Sequence, residues 1–422
     1  MRAFFLLAMA LSWQATLALA AASDNSFAVR NVRVFDGEKT IAKANVIVRD
    51  GMIIVVGTVP IPNSIKVIDG SNKTLLPGLI DSHVHVFPGA QADALRFGVT
   101  TELDMFDLAR EFAKWRAQRQ SLGQVSEADT WAAGIGVTVR GGHPLETAPG
   151  IPVPTLGAAQ EAKAFVDARV AEGSDCVKLF TEDLSEYGGM QRLPTLSRDE
   201  VCAVVKAAHE DHKLAIVHIS KQADARQAIE CGADGLAHLF GDATDDQEFA
   251  AFARQRGVFF ETTLDVIAGT SGLSLGRQLA ADSRVAPYLS PAQKGSLIAI
   301  PPNPHPDWIT NALAAARALH RAGVPVLAGT DSPNPATAHG VSLHEELALL
   351  VQAGFTPEEA LHTATEVPDQ IFKLGDRGRI APGYRADLLL VDGDPTRAIG
   401  DTLSIVRIWK NGYAISRAVL TP

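Results

Sequence analysis

Four histidines, a lysine and an aspartate stand where short apolar runs of this chain end. His83 and His85 close LIDSHVHV, Lys178 sits near the end of CVKLF, His218 closes LAIVH, His238 closes GLAH and Asp331 closes VLAGTD. Side chains alternate faces along a strand, so Asp81, His83 and His85 should point the same way. Neutral imidazole binds zinc and related divalent ions, and a carboxylate adds compensating charge. A lone histidine at a strand end is ordinarily a hydrogen-bonded residue. A His-x-His pair followed by two more strand-end histidines and an aspartate points to metal instead. The set is large enough to hold one ion with groups to spare, or two. Lys178 can join it: a buried lysine among cations loses its proton easily, and the free amine can add carbon dioxide to become an anionic oxygen ligand. Metal binding lowers the pKa of water to about 7, so a metal-bridging hydroxide is a nucleophile at neutral pH. Asp331 can take its proton and pass it to a leaving amine. No serine or cysteine nucleophile is needed.

Substrate groups are sought on the loops that follow the strands. His143, in RGGHP, follows the third apolar run and could polarise or orient a substrate carbonyl; the nearby Arg140 could bind a carboxylate. Tyr187 lies in EDLSEYGG, where two glycines would allow a mobile lid. Cys176 shares a face with Lys178 and is read as packing. His209, His212, His320 and His362 fall on helical stretches, and His305 and His339, on insertion or loop segments, are given no role.

These residues need a frame. From residue 76 to residue 375, strand-like runs alternate with amphipathic helical stretches, and the runs number eight: LLPGLIDSHVHV, GVTTELDMF, TWAAGIGVTV, CVKLF, LAIVHIS, GLAHLF, VFFETTL and VPVLAGTD. Strands rich in Val, Ile and Leu with helices between them imply a parallel sheet buried on both faces. Eight such units suit a (β/α)8 TIM barrel, whose active groups come from the C-terminal ends of different strands. An open doubly wound sheet is weakened because no GxGxxG follows a strand. Residues 264–307 are long for a loop and read as an active-site insertion. Residues 27–75 and 376–420 look different: short β-branched segments punctuated by Asp-Gly or Asn-Gly, the signals of hairpins. They are expected to form one small β-sandwich domain from both chain ends, giving an α/β chain with a β appendage.

Residues 1–20 stand apart. Arg2 precedes the apolar run AFFLLAMAL at 3–11, and small residues follow at Ala18 and Ala20, the three-part pattern of a secretory signal peptide. The mature chain is expected to be secreted or periplasmic, with no stable membrane span. With 38 Lys+Arg against 48 Asp+Glu the net charge is −10, a poor basis for binding nucleic acid. The 3 cysteines, with no CxxC, exclude a disulfide framework and a cysteine zinc site as organising principles.

Taken together, DSHVHV, VKLF, VHIS, AHLF and GTDSP, with PGYRADLLLVDGDP near the end, resemble the amidohydrolase superfamily over nearly the whole mature chain. The nearer resemblance is to its imidazolonepropionase-like and Xaa-Pro-dipeptidase-like members. That resemblance implies a metal-dependent hydrolase with two divalent ions, zinc being the expected element. It further implies that His83, His85 and Asp331 bind the more buried ion, that His218 and His238 bind the second, and that N-carboxylated Lys178 bridges them. The implied substrate is a small-molecule amide, either an N-acyl amino acid or dipeptide-like. Hydrolysis of a cyclic amide or lactone, and hydrolytic deamination, stay open on the same site, although a bridging lysine argues against the mononuclear deaminases. A non-catalytic binding protein would be expected to have lost ligands. A homo-oligomer is left open.

Overall fold

The computed structural model describes residues 25–419 except 109, 110, 124, 148, 187–191, 244, 245, 302 and 303. The signal segment expected at 1–20 lies outside the described residues, and so does Tyr187. The chain begins with β1 (Phe27–Phe35), β2 (Thr40–Arg49), β3 (Met52–Gly57), β4 (Lys66–Asp69) and β5 (Lys73–Pro77). Asp50 and Gly51 both have positive φ, 50° and 80°, and turn β2 onto β3 with Arg49 opposite Met52. Two left-handed residues in a two-residue loop match the twist of the strands they join. The Asp69-Gly70 pair does something else. It closes no hairpin, because β4 and β5 both lie parallel to β1. Gly70 N–H donates to the Arg30 carbonyl at 2.8 Å, and a Cβ at Gly70 would come within 2.5 Å of Val32 Cβ.

The middle of the chain alternates. In order come β6 (Leu79–Val84), α1 (Ala90–Leu95), β7 (Val99–Asp104), α2 (Phe112–Gln120), β8 (Asp129–Ala132), α3 (Ala162–Glu172), β9 (Val177–Phe180), α4 (Arg198–Glu210), β10 (Ala215–His218), α5 (Gln222–Glu230), β11 (Gly235–Ala237), α6 (Gln247–Arg256) and β12 (Phe259–Glu261). Helices α7 (Leu264–Thr270), α8 (Leu275–Ala281) and α9 (Pro291–Ile298) fill the expected insertion, followed by α10 (Trp308–Ala322) and β13 (Val326–Leu327). Then come α11 (Val341–Ala353), α12 (Pro357–Thr363) and α13 (Glu366–Phe372), and β14 (Leu388–Asp392), β15 (Ile405–Lys410) and β16 (Tyr413–Ile415) end the chain.

Each of the eight apolar runs contains a strand, and these strands pair in parallel: β6-β7-β8 in one sheet, β9 to β13 in sequence order in the other. Main-chain hydrogen bonds link the sheets at both edges. Ser82 N reaches Ala328 O and His85 N reaches Ser332 O on one side; Asp175 N reaches Ala132 O and Phe180 N reaches Val137 O on the other. All residues of β6 and β7 are buried, as expected of parallel strands covered on both faces. The helices supply the cover. In α4, Val201, Val204, Val205 and Ala208 form one buried stripe. Its start is fixed by a reciprocal cap, with the Ser197 hydroxyl accepting from Glu200 N and the Glu200 carboxylate from Ser197 N. Although three cysteines cannot build a framework, two of them pair: a Cys202–Cys231 disulfide ties α4 to the end of α5. Among the described residues no helix is long and apolar enough to cross a membrane.

The two chain ends meet in one eight-stranded sheet ordered β16-β15-β14-β5-β1-β2-β3, with β4 also on β1. Strand β14 runs antiparallel to β5 from Leu388 opposite Pro77 to Asp392 opposite Lys73. Asn411 and Gly412, with φ of 51° and 80°, make the β15–β16 turn. Strands β14 and β15 also pair antiparallel, but Gly393 makes no tight turn between them, since a 3-10 segment at Ile399–Leu403 lies in the connection.

A buried ion cluster holds the end sheet to the parallel strands. Asp129 of β8 accepts hydrogen bonds from Lys410 Nζ at 2.6 Å and from Arg377 Nη2 at 2.6 Å, and Arg385 Nη1 stands 3.6 Å away. Lys410 also reaches Asp387 at 2.6 Å. Arg119 and Arg377 lie over the Trp131 ring, 4.4 and 4.7 Å from its centroid. Burial opposes charge on Asp129, yet Lys410, Arg377 and Arg385 outweigh it and hold the carboxyl down at about 2. Its folded pKa is thus below the unfolded value of about 3.9, so its contribution to stability is complete above that value and is lost as pH falls toward 2. Asp129→Asn should destabilise the chain by about 3–5 kcal/mol at pH 7, the cost of breaking a buried pair. Urea unfolding between pH 2 and 5 should show the wild type converging on the variant.

Candidate metal centre

The C-terminal ends of β6, β9, β10 and β11 and the segment after β13 converge on one buried pocket. Gly329 is what lets the last of these come close: a Cβ there would lie 2.7 Å from His83 Cβ and 3.0 Å from His83 N. Thr330 and Asp331 N–H both donate to the His83 carbonyl, at 3.2 and 2.7 Å. Asp81 serves this seam rather than the pocket, accepting from Thr330 N at 3.1 Å and Thr330 Oγ1 at 2.7 Å, and burial raises its carboxyl to about 8.

Donor atoms of His83, His85 and Asp331 all lie within 4.8 Å of one another. His85 Nε2 stands 2.9 Å and His83 Nε2 3.7 Å from Asp331 Oδ1. The His83 and His238 rings are 4.6 Å apart and the His238 and His218 rings 4.3 Å apart, with His238 Nε2 3.1 Å from His218 Nδ1. Lys178 is fully enclosed beside them, and its Nζ has no hydrogen-bond partner. His218 Nε2 is likewise buried without one. The six strand-end residues therefore share one site. An unpartnered amine and an unpartnered imidazole nitrogen grouped with a carboxylate and three further imidazoles are the donor set that a divalent cation satisfies.

The electrostatics follow from burial. Desolvation pushes the His83, His218 and His238 imidazoles well below their ordinary value, and the Lys178 amine nearby pushes each further. Lys178 itself is lowered to about 8 by desolvation, against the pull of Glu261 and Asp331. Burial would raise Asp331, but the hydrogen bond from His85 and the neighbouring His238 outweigh it and hold the carboxyl below its usual value. Neutral imidazoles, an ionised carboxylate and an amine near its titration point are the forms that bind metal.

His143 also comes to this pocket, its ring 5.0 Å from His218 and 5.6 Å from Phe180, with Nδ1 held by Glu146 at 2.6 Å. Arg140 is exposed on the same loop. Cys176 is buried, packed among Ile216, Ala237 and Leu327. Four partners went unread in the sequence. Glu261 holds His83 Nδ1 at 2.8 Å, and Thr263 holds His238 Nδ1 at 2.7 Å. Glu182 Oε2 lies 3.6 Å from His218 Nε2. His339, expected to have no role, is buried between Glu102 at 2.7 Å and the His85 carbonyl at 3.2 Å. Strand parity could have found two of them, since Glu182 shares the register of Lys178 and Phe180, and Glu261 closes the apolar run VFFE. The pentapeptide GLSLG at 272–276 has the spacing of a serine-hydrolase elbow, but exposed Ser274 links two helices and follows no strand, so it lacks that context.

Three residues at strand ends have left-handed backbones despite carrying side chains: His238 at φ 74°, Thr263 at 48° and Asp331 at 57°. Each such residue costs about 1–3 kcal/mol and persists where the surroundings over-determine it. The buried amine adds to that cost. Lys178→Met keeps the stem's volume and removes a desolvated polar group, so the metal-free variant should unfold at a higher temperature than metal-free wild type. Thermal unfolding of both proteins in chelator measures this.

The sequence profile of the Amidohydrolase family matches residues 74–417. Imidazolonepropionase of Deinococcus deserti is 26% identical over 405 residues, covering 88% of this chain and 92% of that enzyme. An adenine deaminase of Lysinibacillus sphaericus is 35% identical over a shorter stretch of 75 residues, 18% of this chain and 12% of that enzyme. Among solved structures, a Xaa-Pro dipeptidase with methionine bound in its active site superposes with a TM-score of 0.75 at 21% identity, over 93% of this chain and 100% of that one, so the two share a fold.

Proposed function

Because this chain belongs to the amidohydrolase family, we propose that it is an exported, metal-dependent hydrolase of amide bonds with a binuclear site, its eight parallel strands closed into a (β/α)8 barrel. The observation that carries the reading is the buried, unpartnered Lys178 amine, close enough to His83, His218, His238 and Asp331 to feel or exert their electrostatic influence. His83, His85 and Asp331 would hold one ion and His218 and His238 the other. Zinc is the expected element, and the ions would supply Lewis acidity and acidify water at neutral pH. With a pKa of about 8, a fraction of Lys178 is free amine near neutrality. That amine attacks carbon dioxide: a nitrogen–carbon bond forms, one N–H proton leaves, and the resulting carbamate places negative charge between the two histidine pairs. Asp331 receives the proton of the attacking water and delivers it to the departing nitrogen. His143 orients the substrate carbonyl, while Arg140 and Tyr187 are candidates for binding its carboxylate end. Export fits the Cys202–Cys231 bond, since disulfides persist in oxidising compartments.

The preferred substrate is an N-acyl amino acid or dipeptide. Opening of a cyclic amide is the second reading, favoured by the imidazolonepropionase likeness, which extends over 88% of this chain. Product analysis separates them: a free amino acid in one case, a ring-opened acid in the other, with ammonia marking deamination. Elemental analysis should find close to two divalent ions per chain, and Lys178→Ala should lose at least one ion and most turnover. A reproducible value of one ion in the wild type would refute the binuclear site.

Asp331→Asn separates a ligand from a proton carrier. Asparagine keeps the shape and one neutral oxygen but accepts no proton. Turnover should fall by roughly 10²–10⁴-fold, the usual worth of general acid–base help, with much of the metal retained. Metal content and kcat measured on one preparation decide it; loss of metal in step with activity would make Asp331 a ligand only.

A further inference from the structure

Strand β12 contributes no donor to the six-residue set, yet its end touches two members of it. Glu261 Oε2 is 2.8 Å from His83 Nδ1, both side chains fully enclosed. The Glu261 carbonyl accepts the His238 backbone N–H at 2.8 Å, and Thr263 Oγ1 meets His238 Nδ1 at 2.7 Å. We propose that the end of β12 is the orienting clamp of the site, with Glu261 fixing His83 and Thr263 fixing His238, so that both rings present Nε2 toward the space a metal would fill. The proposal rests on the metal reading above.

The physical case begins with imidazole. A neutral ring carries one proton, and the partner of one nitrogen decides which nitrogen keeps its lone pair. With the Glu261 carboxyl engaged at His83 Nδ1, Nε2 is the nitrogen left for a ligand, on the side of Asp331, 3.7 Å away. Such outer partners fix tautomer and ring angle and raise ligand basicity. The two rings they hold are 4.6 Å apart, so a single strand end sets angles on both halves of the donor set.

The backbone of this strand end is built to be held. Thr263, a β-branched residue, sits at φ 48°, a conformation such residues rarely adopt. Glu346 of α11, itself fully buried, secures the turn: its carboxylate accepts from Thr262 Oγ1 and from Asp265 N at 2.8 Å. A strained residue that is over-determined by its neighbours and aims a hydroxyl at a site histidine marks a positioning role.

The test uses the full chain and cobalt(II) titrated into metal-free protein. Cobalt absorption reports ligand geometry, and elemental analysis reports stoichiometry. Glu261→Leu should weaken binding of one ion by roughly 10–100-fold, the usual effect of losing an outer partner. Glu261→Gln keeps an acceptor oxygen and should recover most of that loss. Thr263→Ala removes the hydroxyl and relieves the branched side chain's strain, so it should fold at least as stably while weakening the other ion; Thr263→Ser should restore it. Affinity that drops without a drop in unfolding temperature separates positioning from a merely structural role. Wild-type affinity and absorption in Glu261→Leu or in Thr263→Ala would overturn the clamp. A wild type that binds no cobalt would overturn the metal reading itself, and the clamp with it.

Discussion

A primary amine shut away from water with no acceptor within hydrogen-bonding distance is the constraint around which this molecule is arranged. Desolvation disfavours its charge, and it suppresses protonation of the imidazoles beside it. A pocket of that kind is stable only if the frame is rigid enough to keep water out and the neighbours in place. Parallel strands buried on both faces provide the rigidity, and each of the six strand-end groups is mounted on a strand or on the first residues beyond one. The left-handed residues at those ends show the stress of bringing the groups together.

The frame is itself held by charge at its other extremity. The Asp129 cluster ties the C-terminal end of the chain to β8, through a lysine and two arginines distant in sequence from the aspartate they meet; Lys410 and Asp129 are 281 residues apart. One hydrophobic layer fills the space between the parallel strands and their helices, and a separate one lies within the end sheet. Polar residues therefore do different work in different places. At the pocket they are left unsatisfied and available, whereas in the ion cluster nearly every donor has an acceptor.

Much of this was legible beforehand because parallel strands advertise themselves: all eight apolar runs contain one, even where β13 is only Val326–Leu327. The six strand-end residues were legible for the same reason, each interrupting an apolar run. What stayed hidden was set by contacts distant in sequence. Nothing local to Asp69-Gly70 says that the strands on either side will both lie along β1. His339 looks like an ordinary loop residue until Glu102, 237 positions away, is found against it. Glu261 was readable by parity but not by motif, because it borders no histidine in the chain. Tertiary burial, rather than spacing, turned these into parts of the site.

The pairing of Cys202 with Cys231 has a kinetic consequence. The two are separated by only 29 positions, so the loop they close is short and can form before distant parts of the chain have met. The third cysteine, Cys176, is buried, and burial pushes its thiol far above the ordinary range. Only a thiolate attacks a disulfide, so once the chain has folded Cys176 is silent in thiol–disulfide exchange. Three cysteines allow three pairings, and the fold leaves one of them chemically accessible. In the folded chain, therefore, the Cys202–Cys231 bond has no internal thiol with which to exchange.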